Sequence, residues 1–295
     1  MKQNVEKIIY AFVLMSMLCL AYAYFIEPNR LVITRREIKI NNWNRAFDGL
    51  RIAAIADIHG GSNGVTEEKL RRLVEMVNAE NPDVIVLLGD YVAYDEASST
   101  VRMPVKMIAE NLRGFKSKYG VFAILGNHDG RYGDKEVGGA FRSVGFKVLT
   151  NEVASIEKNG QRLRIMGAED HMQIASWQEF YRDFKLSAAT ADKTGNLIVL
   201  EHSPDILTTI LGDPTVADEV DLVLAGHTHG GQIRLPILGA PIVPSGYGQK
   251  YAAGHFKEGG VDMFVTTGIG TSIIPFRFLV PPEIAVLTVR AETRQ

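Results

Sequence analysis

Five times along this chain a short apolar run stops at a cluster of polar residues. Leu50 to Ala56 ends at Asp57 and His59. Val84 to Leu88 ends in Gly89-Asp90, and Tyr119 to Leu125 in Gly126-Asn127-His128-Asp129. Asn196 to Leu200 ends in Glu201-His202, and Val220 to Ala225 in Gly226-His227-Thr228-His229. Short, solidly apolar runs bounded by turn residues read as buried strands. Between the first three lie stretches of helical spacing. Glu67 to Ala79 places Leu70, Leu73, Val74 and Val77 on one face behind Thr66 as a plausible N-cap, and residues 101–113 read as a second helix. Strand, helix, strand in alternation predicts right-handed crossovers and a largely parallel sheet. The loops beyond the carboxyl ends of such strands are where ligands bind.

Those loops hold His59, His128, His202, His227 and His229, five of the seven histidines; His171 and His255 lie elsewhere. One His near a strand end is most often a satisfied core or surface residue, and Gly-Asp alone is a common turn. Five converging loops that carry carboxylate, imidazole and one amide are different. This oxygen-and-nitrogen set, with no thiolate, suits Mn, Fe, Zn or Co better than a structural zinc site. It supplies more donors than one ion uses, so two divalent ions bridged by a carboxylate are the natural reading. A chain of 295 residues builds its core without a structural metal, which points the pattern toward catalysis.

The second half is less regular. Phe146 to Glu157 and Gln161 to Met166 read as adjacent strands around a Lys158-Asn159-Gly160 turn. Gln173 to Lys185 reads as a helix carrying Trp177, Phe180, Tyr181 and Phe184. An aromatic stripe at helical spacing usually packs inward; a cap over an apolar substrate is the alternative.

At the front, Ile8 to Ile26 is a run of 19 residues without a charge, just long enough to span a bilayer, with Tyr22, Tyr24 and Phe25 suited to the interface. A cleaved signal peptide is the rival, with Ala21-Tyr22-Ala23 as the cleavage pattern, but the apolar residues run through that cut. The reading is a single-pass anchor over 1–28, a linker with its leading strand over 29–49, and a catalytic domain over 50–291. Basic residues flank both ends of the segment. The positive-inside rule leans toward a cytoplasmic domain without fixing the membrane face. The net charge is −2 and no basic stripe appears, so no nucleic acid is expected as a partner. Cys19 is the single cysteine, so no internal disulfide forms, and nothing in the chain indicates an oligomeric state.

The ordered series Asp57-x-His59, Gly89-Asp90, Gly126-Asn127-His128-Asp129, Glu201-His202 and Gly226-His227-Thr228-His229 resembles the calcineurin-like metallophosphoesterase family. Gly230-Gly231-Gln232, Gly268-Ile269-Gly270-Thr271, Pro275-Phe276-Arg277 and Pro282-Glu283 resemble its membrane-associated bacterial branch, the YkuE/YaeI-like phosphodiesterases. The resemblance implies an α/β fold, a four-layer αββα sandwich. It implies that Asp57, His59, Asp90 and His229 hold one metal ion, and Asp90, Asn127, His202 and His227 the other. It further implies that His128 faces the substrate and protonates or stabilises the leaving oxygen, with Asp129 orienting His128. Arg277 is a candidate for binding a second phosphate or charged head group, against a surface salt bridge as the plainer role.

The expected activity is phosphodiester hydrolysis by a metal-activated water on a phosphate-containing small molecule or lipid. The bilayer anchor favours a membrane-associated or lipid-linked substrate. UDP-2,3-diacylglucosamine pyrophosphatase and protein phosphatase are alternatives within the enzyme class. A non-catalytic scaffold of the same fold is the alternative outside it, and none of the expected ligands is missing as such a scaffold would require.

Overall fold

The computed structural model describes residues 2–292, except Glu96, Gln173, Ala175 and residues 191–193. Two six-stranded sheets make the centre. The first runs in the order Val32–Ile40, Glu283–Ala291, Leu50–Ile55, Val84–Leu88, Val121–Ile124, Lys147–Val148. All its neighbours are parallel except Glu283–Ala291 against Leu50–Ile55. The second runs Gly254–Glu258, Val261–Val265, Leu222–Ala225, Leu197–Leu200, Gln161–Gly167, Glu152–Lys158. Its two outer pairs are antiparallel and its inner pairs parallel.

The period-2 alternation of the strands sorts their side chains into layers. Ile52, Ala54, Val84, Val86, Leu88, Phe122 and Ile124 point from the first sheet into a core shared with Leu163, Ile165, Ile198, Leu200, Leu222 and Leu224 of the second. Their alternates Ala53, Ile55, Ile85, Leu87 and Ala123 pack under Leu70, Leu73 and Val77 of the helix Glu67–Ala79 and under Ile108 and Phe141 of neighbouring helices. On the far face of the second sheet, Met166, Val199, Val223 and Met263 pack against Phe180, Phe184, Ile206 and Ile210. The result is helix, sheet, sheet, helix: the four-layer sandwich, with the carboxyl ends of both sheets at one end.

Two expectations change. The leading strand expected over residues 36–40 begins earlier, at Val32, and pairs along its whole length with Glu283–Ala291. Phe146 to Glu157 is not one strand. Lys147–Val148 pairs with Val121–Ile124 in the first sheet, and Glu152–Lys158 pairs with Gln161–Gly167 in the second. Leu149 N–H still donates to Ala123 O (2.8 Å), and Asn151, at φ 51°, turns the chain into the other sheet. An apolar run cannot show which sheet each half joins.

The described helix covers Trp177–Thr190; the expected start at Gln173 lies outside the described residues. Phe180 and Phe184 are buried in the outer core, so these two aromatics pack inward, while Tyr181 is half-buried. Lys2–Ala21 is a helix with no buried residue, continued by Tyr22–Ile26. It is the one described helix long and apolar enough to cross a membrane.

Candidate metal centre

Each polar cluster begins where a strand ends, and the backbone turns hard there. Asp57, His59, Asp90, His227 and His229 have φ of 52°, 43°, 56°, 67° and 51°. A left-handed conformation costs a non-glycine residue about 1–2 kcal/mol, and five in one place concentrate strain where side chains are aimed inward. Backbone bonds hold these turns: Asp57 N–H to Gly89 O (2.9 Å), His59 N–H to Asp90 O (3.0 Å) and Gly226 N–H to His202 O (2.9 Å). Close approach needs glycine at 226, where a Cβ would meet Ala56 Cβ at 2.5 Å and Asp57 Oδ2 at 2.7 Å.

Donor atoms of two main groups then lie within reach of one another, and His128 falls in a third that shares His59 and Asp90 with them. In the first, His59 Nε2 and His229 Nε2 are 3.2 Å apart, and Asp57 Oδ1 lies 3.5 Å from His229 Nε2. In the second, His202 Nε2 is 3.2 Å from both His227 Nδ1 and Asp90 Oδ2. That same Asp90 oxygen is 3.6 Å from His59 Nε2, so one atom faces both groups. Asn127 is buried at the start of the helix Asn127–Tyr132. The outer nitrogens are held from behind: His59 Nδ1 meets Val92 O at 3.2 Å and His202 Nδ1 meets Leu88 O at 2.7 Å. A carbonyl only accepts, so the proton belongs on Nδ1 and Nε2 is turned inward, the usual support for a ligating imidazole.

The electrostatics suit a cation. Burial pushes His59 down to about 4 and His227 down to about 3, and holds His229 well below the usual range, so these imidazoles are neutral donors at pH 7. Burial, reinforced by Asp90, lifts Asp57 to about 7. Burial opposes both charges of the Asp90–His202 pair, yet their attraction wins. Asp90 is held well below the carboxylate range and His202 well above its own. The negative Asp90 carboxylate, set among the neutral nitrogens of His59, His227 and His229, stabilises added positive charge. The residues present therefore fit divalent cations by donor type, spacing and charge.

The remaining expected residues fall differently. His128 is half-buried at the edge of the cluster, its ring 4.8 Å from that of His59 and its Nε2 3.5 Å from Ser272 Oγ. Asp129 does not meet the His128 ring. It is the third residue of its helix, and its carboxylate turns back to accept N–H groups from Gly126, Asp90, Tyr91 and Val92 at 2.8–3.3 Å. It fastens two ligand-bearing loops together instead of orienting His128.

Arg277 is neither a surface salt bridge nor open to a phosphate. It is 0% exposed, and its guanidinium donates to the carbonyls of Gly270, Val280 and Thr267, with Nη2 3.3 Å from His229 Nδ1. A fork spent on buried carbonyls braces the wall behind His229.

The sequence reading passed over His171. Its Nδ1 is 2.9 Å from Glu201 Oε1 and 4.0 Å from Asp170 Oδ1, in a second cluster beside His202. Burial lifts Asp170 to about 6. The signal was available, because Asp170-His171 follows the strand Gln161–Gly167 just as the other clusters follow theirs. A concavity of about 680 Å³ is lined by Arg142, Lys147, Asn151 and Ser187 among others and includes none of the donor residues.

Comparison with known proteins agrees with this geometry. Residues 50–231 match the calcineurin-like phosphoesterase family. The chain is 30% identical to the metallophosphoesterase YkuE of Bacillus subtilis over 272 residues, 92% of this chain and 89% of the relative. It is 28% identical to the phosphodiesterase YaeI of Escherichia coli, over 90% of this chain and 91% of the relative. A Danio rerio transmembrane protein with a metallophosphoesterase domain is 30% identical over 86% of this chain and 56% of its own length. Among solved structures, a Staphylococcus aureus chain assigned to the 5′-nucleotidases superposes with a TM-score of 0.51 at 11% identity, over 83% of this chain and 55% of that one, a likeness of fold alone. With the family matched over most of the chain and relatives aligned nearly end to end, this protein belongs to the calcineurin-like phosphoesterase family and is a metal-dependent phosphoester hydrolase.

Proposed function

We propose that the protein is a phosphodiesterase with a dinuclear centre, acting on a membrane-associated or lipid-linked phosphate. Asp57, His59, Asp90 and His229 would hold one divalent ion, and Asp90, Asn127, His202 and His227 the second. The observation that carries this reading is the position of Asp90 Oδ2, within 3.2 Å of His202 Nε2 and 3.6 Å of His59 Nε2. When bound, such an ion pair supplies a water nucleophile at neutral pH and Lewis-acid polarisation of phosphoryl oxygens.

The chain's own residues do the rest. Burial keeps His59, His227 and His229 unprotonated and ready to donate. Val92 O and Leu88 O fix the tautomers of His59 and His202. Asp129 ties the Asp90 loop to the Asn127 loop, and Arg277 braces His229. His128, at the edge, stabilises or protonates the leaving oxygen.

The name of one relative, a phosphodiesterase, supports the diester, and the apolar helix, whose end packs Tyr22 on Phe278 and Tyr24 on Phe276, supports the membrane-associated substrate. A panel with Mn, comparing bis-p-nitrophenyl phosphate, p-nitrophenyl phosphate and lipid-linked diphosphates, separates diesterase, monoesterase and pyrophosphatase. Asp90→Ala is expected to lose both ions together, read by elemental analysis of the purified protein. Two ions retained in that variant would refute the bridge.

A further inference from the structure

Outside the N-terminal helix, the large aliphatic side chains with the greatest exposure among the described residues are Ile237 (105%), Ile273 (99%), Ile242 (79%) and Leu238 (70%), with Leu279 half exposed at 49%. Three of these also stand on left-handed backbone: Ile237 at φ 71°, Ile273 at 63° and Leu279 at 56°. Glycine or asparagine belongs at such positions; a β-branched residue there is an outlier. Main-chain bonds close the turns, Leu238 N–H to Pro236 O (2.9 Å) and Ile274 N–H to Ser272 O (2.6 Å), but the side chains of Ile237 and Ile273 gain no packing among the described residues. Among the described residues nothing covers Ile237 or Ile273, and a partner outside the fold would.

Their place in the fold shows what that is. The segment 272–279 is bolted to the end of the apolar helix. Phe278 packs edge-on against Tyr22 and Phe276 against Tyr24, with ring centroids 6.2 and 5.5 Å apart. Arg277 N–H donates to Ala23 O (3.0 Å), and Asn63 Nδ2 donates to both Tyr24 O (2.8 Å) and Pro275 O (2.7 Å). Arg234 N–H donates to Phe278 O (2.8 Å), and the Leu235–Gly239 bridge that follows puts Ile237 at the tip of its turn. A helix that enters a bilayer thus delivers both loops to the surface of that bilayer. The same segment borders the metal centre: Ser272 Oγ is 3.5 Å from His128 Nε2, and Ile273 is the next residue.

We propose that Ile237, Ile273 and Leu279, flanked by Leu238 and Ile242, dip into the bilayer that holds the N-terminal helix. The edge of the metal centre, where His128 lies half-buried, then faces the lipid surface. This rests on reading Lys2–Ala21 as an uncleaved anchor, and it deepens the proposed function by fixing where a lipid-linked phosphate reaches the site. Aromatic residues at the helix end suit the interfacial layer, and aliphatic side chains beside them suit the acyl boundary just below.

The test uses the full chain reconstituted in phosphatidylcholine–phosphatidylglycerol vesicles. Cys19 is the only cysteine, so a nitroxide on the native protein reports the helix itself. In a Cys19→Ser background, single labels at Ile237→Cys, Ile273→Cys and Leu279→Cys report the loops, and Leu186→Cys, exposed on the outer helix of the second sheet, is the water-facing control. The expected result is stronger collision with oxygen than with a water-soluble nickel complex at 19, 237, 273 and 279, and the reverse at 186. A lipid-facing Cys19 with loop labels as wet as Leu186→Cys overturns the docking and leaves the anchor standing. A water-facing or missing Cys19 overturns both. Loop labels immobilised without oxygen access, in a chain that runs as a dimer, would assign the patch to a protein contact and also overturn the proposal.

Independently, the triple change Ile237→Ser, Ile273→Ser, Leu279→Ser is expected to keep turnover of bis-p-nitrophenyl phosphate in detergent. Turnover of a vesicle-borne phospholipid should fall about tenfold or more, as local concentration is lost. Equal retention of both activities counts against the docking. Loss of both would leave the spectroscopic arm to decide it.

Discussion

At the residue scale, Asp57, His59, Asp90, His227 and His229 accept left-handed backbone that none of them favours. The strain is offset by hydrogen bonds: the Asp57 and His59 N–H groups are held by main-chain carbonyls, and those of Asp90 and His227 by the carboxylates of Asp129 and Asp57. His128 differs from its neighbours. Among the described residues its Nε2 lies 3.5 Å from Ser272 Oγ, and its half-buried ring sits at the edge of the cluster, within reach of His59 and Asp90. His128→Ala is therefore expected to keep its metal content and lose turnover by roughly 10²–10⁴, the range of a general acid. The check needs a poor leaving group, because nitrophenolate leaves without a proton. Unchanged turnover on such a substrate sinks the role. The types of these residues were legible in the sequence. The directions of Asp129 and Arg277 were not, because a side chain's partner depends on which loops meet, and those loops come from distant parts of the chain.

At the element scale, the helix Trp177–Thr190 shows why a stripe of aromatics is weak support for a cap. Phe184 is 1% exposed and stacks on Phe180, ring centroids 6.0 Å apart, above Met166 and Val199 of the second sheet. Tyr181, half-buried, donates its hydroxyl to Asp213 and does not reach the metal centre. Phe184→Ala is expected to lower unfolding stability by about 3–5 kcal/mol, the usual cost of emptying an aromatic site. Turnover of the surviving folded fraction should not change. Chemical denaturation alongside single-turnover kinetics checks both halves, and a lost rate at intact stability would restore the cap. The helix Glu67–Ala79 was legible to the residue, and Thr66 does cap it, accepting from Lys69 N–H at 3.2 Å, whereas the helix expected over 101–113 is Val105–Leu112, with Thr100–Val101 in a short strand. Lys147–Val148 and Glu152–Lys158 were not separable, since both halves of that run are equally suited to strand.

At the scale of the whole molecule, the N-terminal segment is both a membrane candidate and part of the folded body. The full-length protein is expected to sediment with membranes and resist extraction by salt and alkali. N-terminal sequencing that finds Tyr24 as the first residue of the mature chain would overturn the anchor. The packing adds a second expectation. Pro28 O accepts from the buried Lys69 Nζ at 2.5 Å, and Glu27 is 1% exposed. A chain shortened to begin at Asn29 keeps every metal donor, yet leaves Lys69 without that partner, a loss of about 1–3 kcal/mol. Its melting temperature is expected to fall below that of a chain beginning at Ala21, while both hydrolyse bis-p-nitrophenyl phosphate. Equal melting temperatures would show the contact to be idle.

The sequence by itself determined the alternation of apolar strands and amphipathic helices, the polar clusters at strand ends and the uncharged front segment. Each is written in local periodicity and residue type, which neighbours along the chain are enough to express. Only the tertiary structure decided that Asp90 Oδ2 faces both donor groups, that Asp129 and Arg277 brace loops instead of meeting His128 or substrate, and that Asp170, His171 and Glu201 gather beside His202. It alone places Ile237 and Ile273 around the end of the helix. Those facts depend on pairing between strands far apart in sequence, such as Val32–Ile40 with Glu283–Ala291. Burial then fixes which polar group is left to satisfy which other, and no local pattern carries that choice.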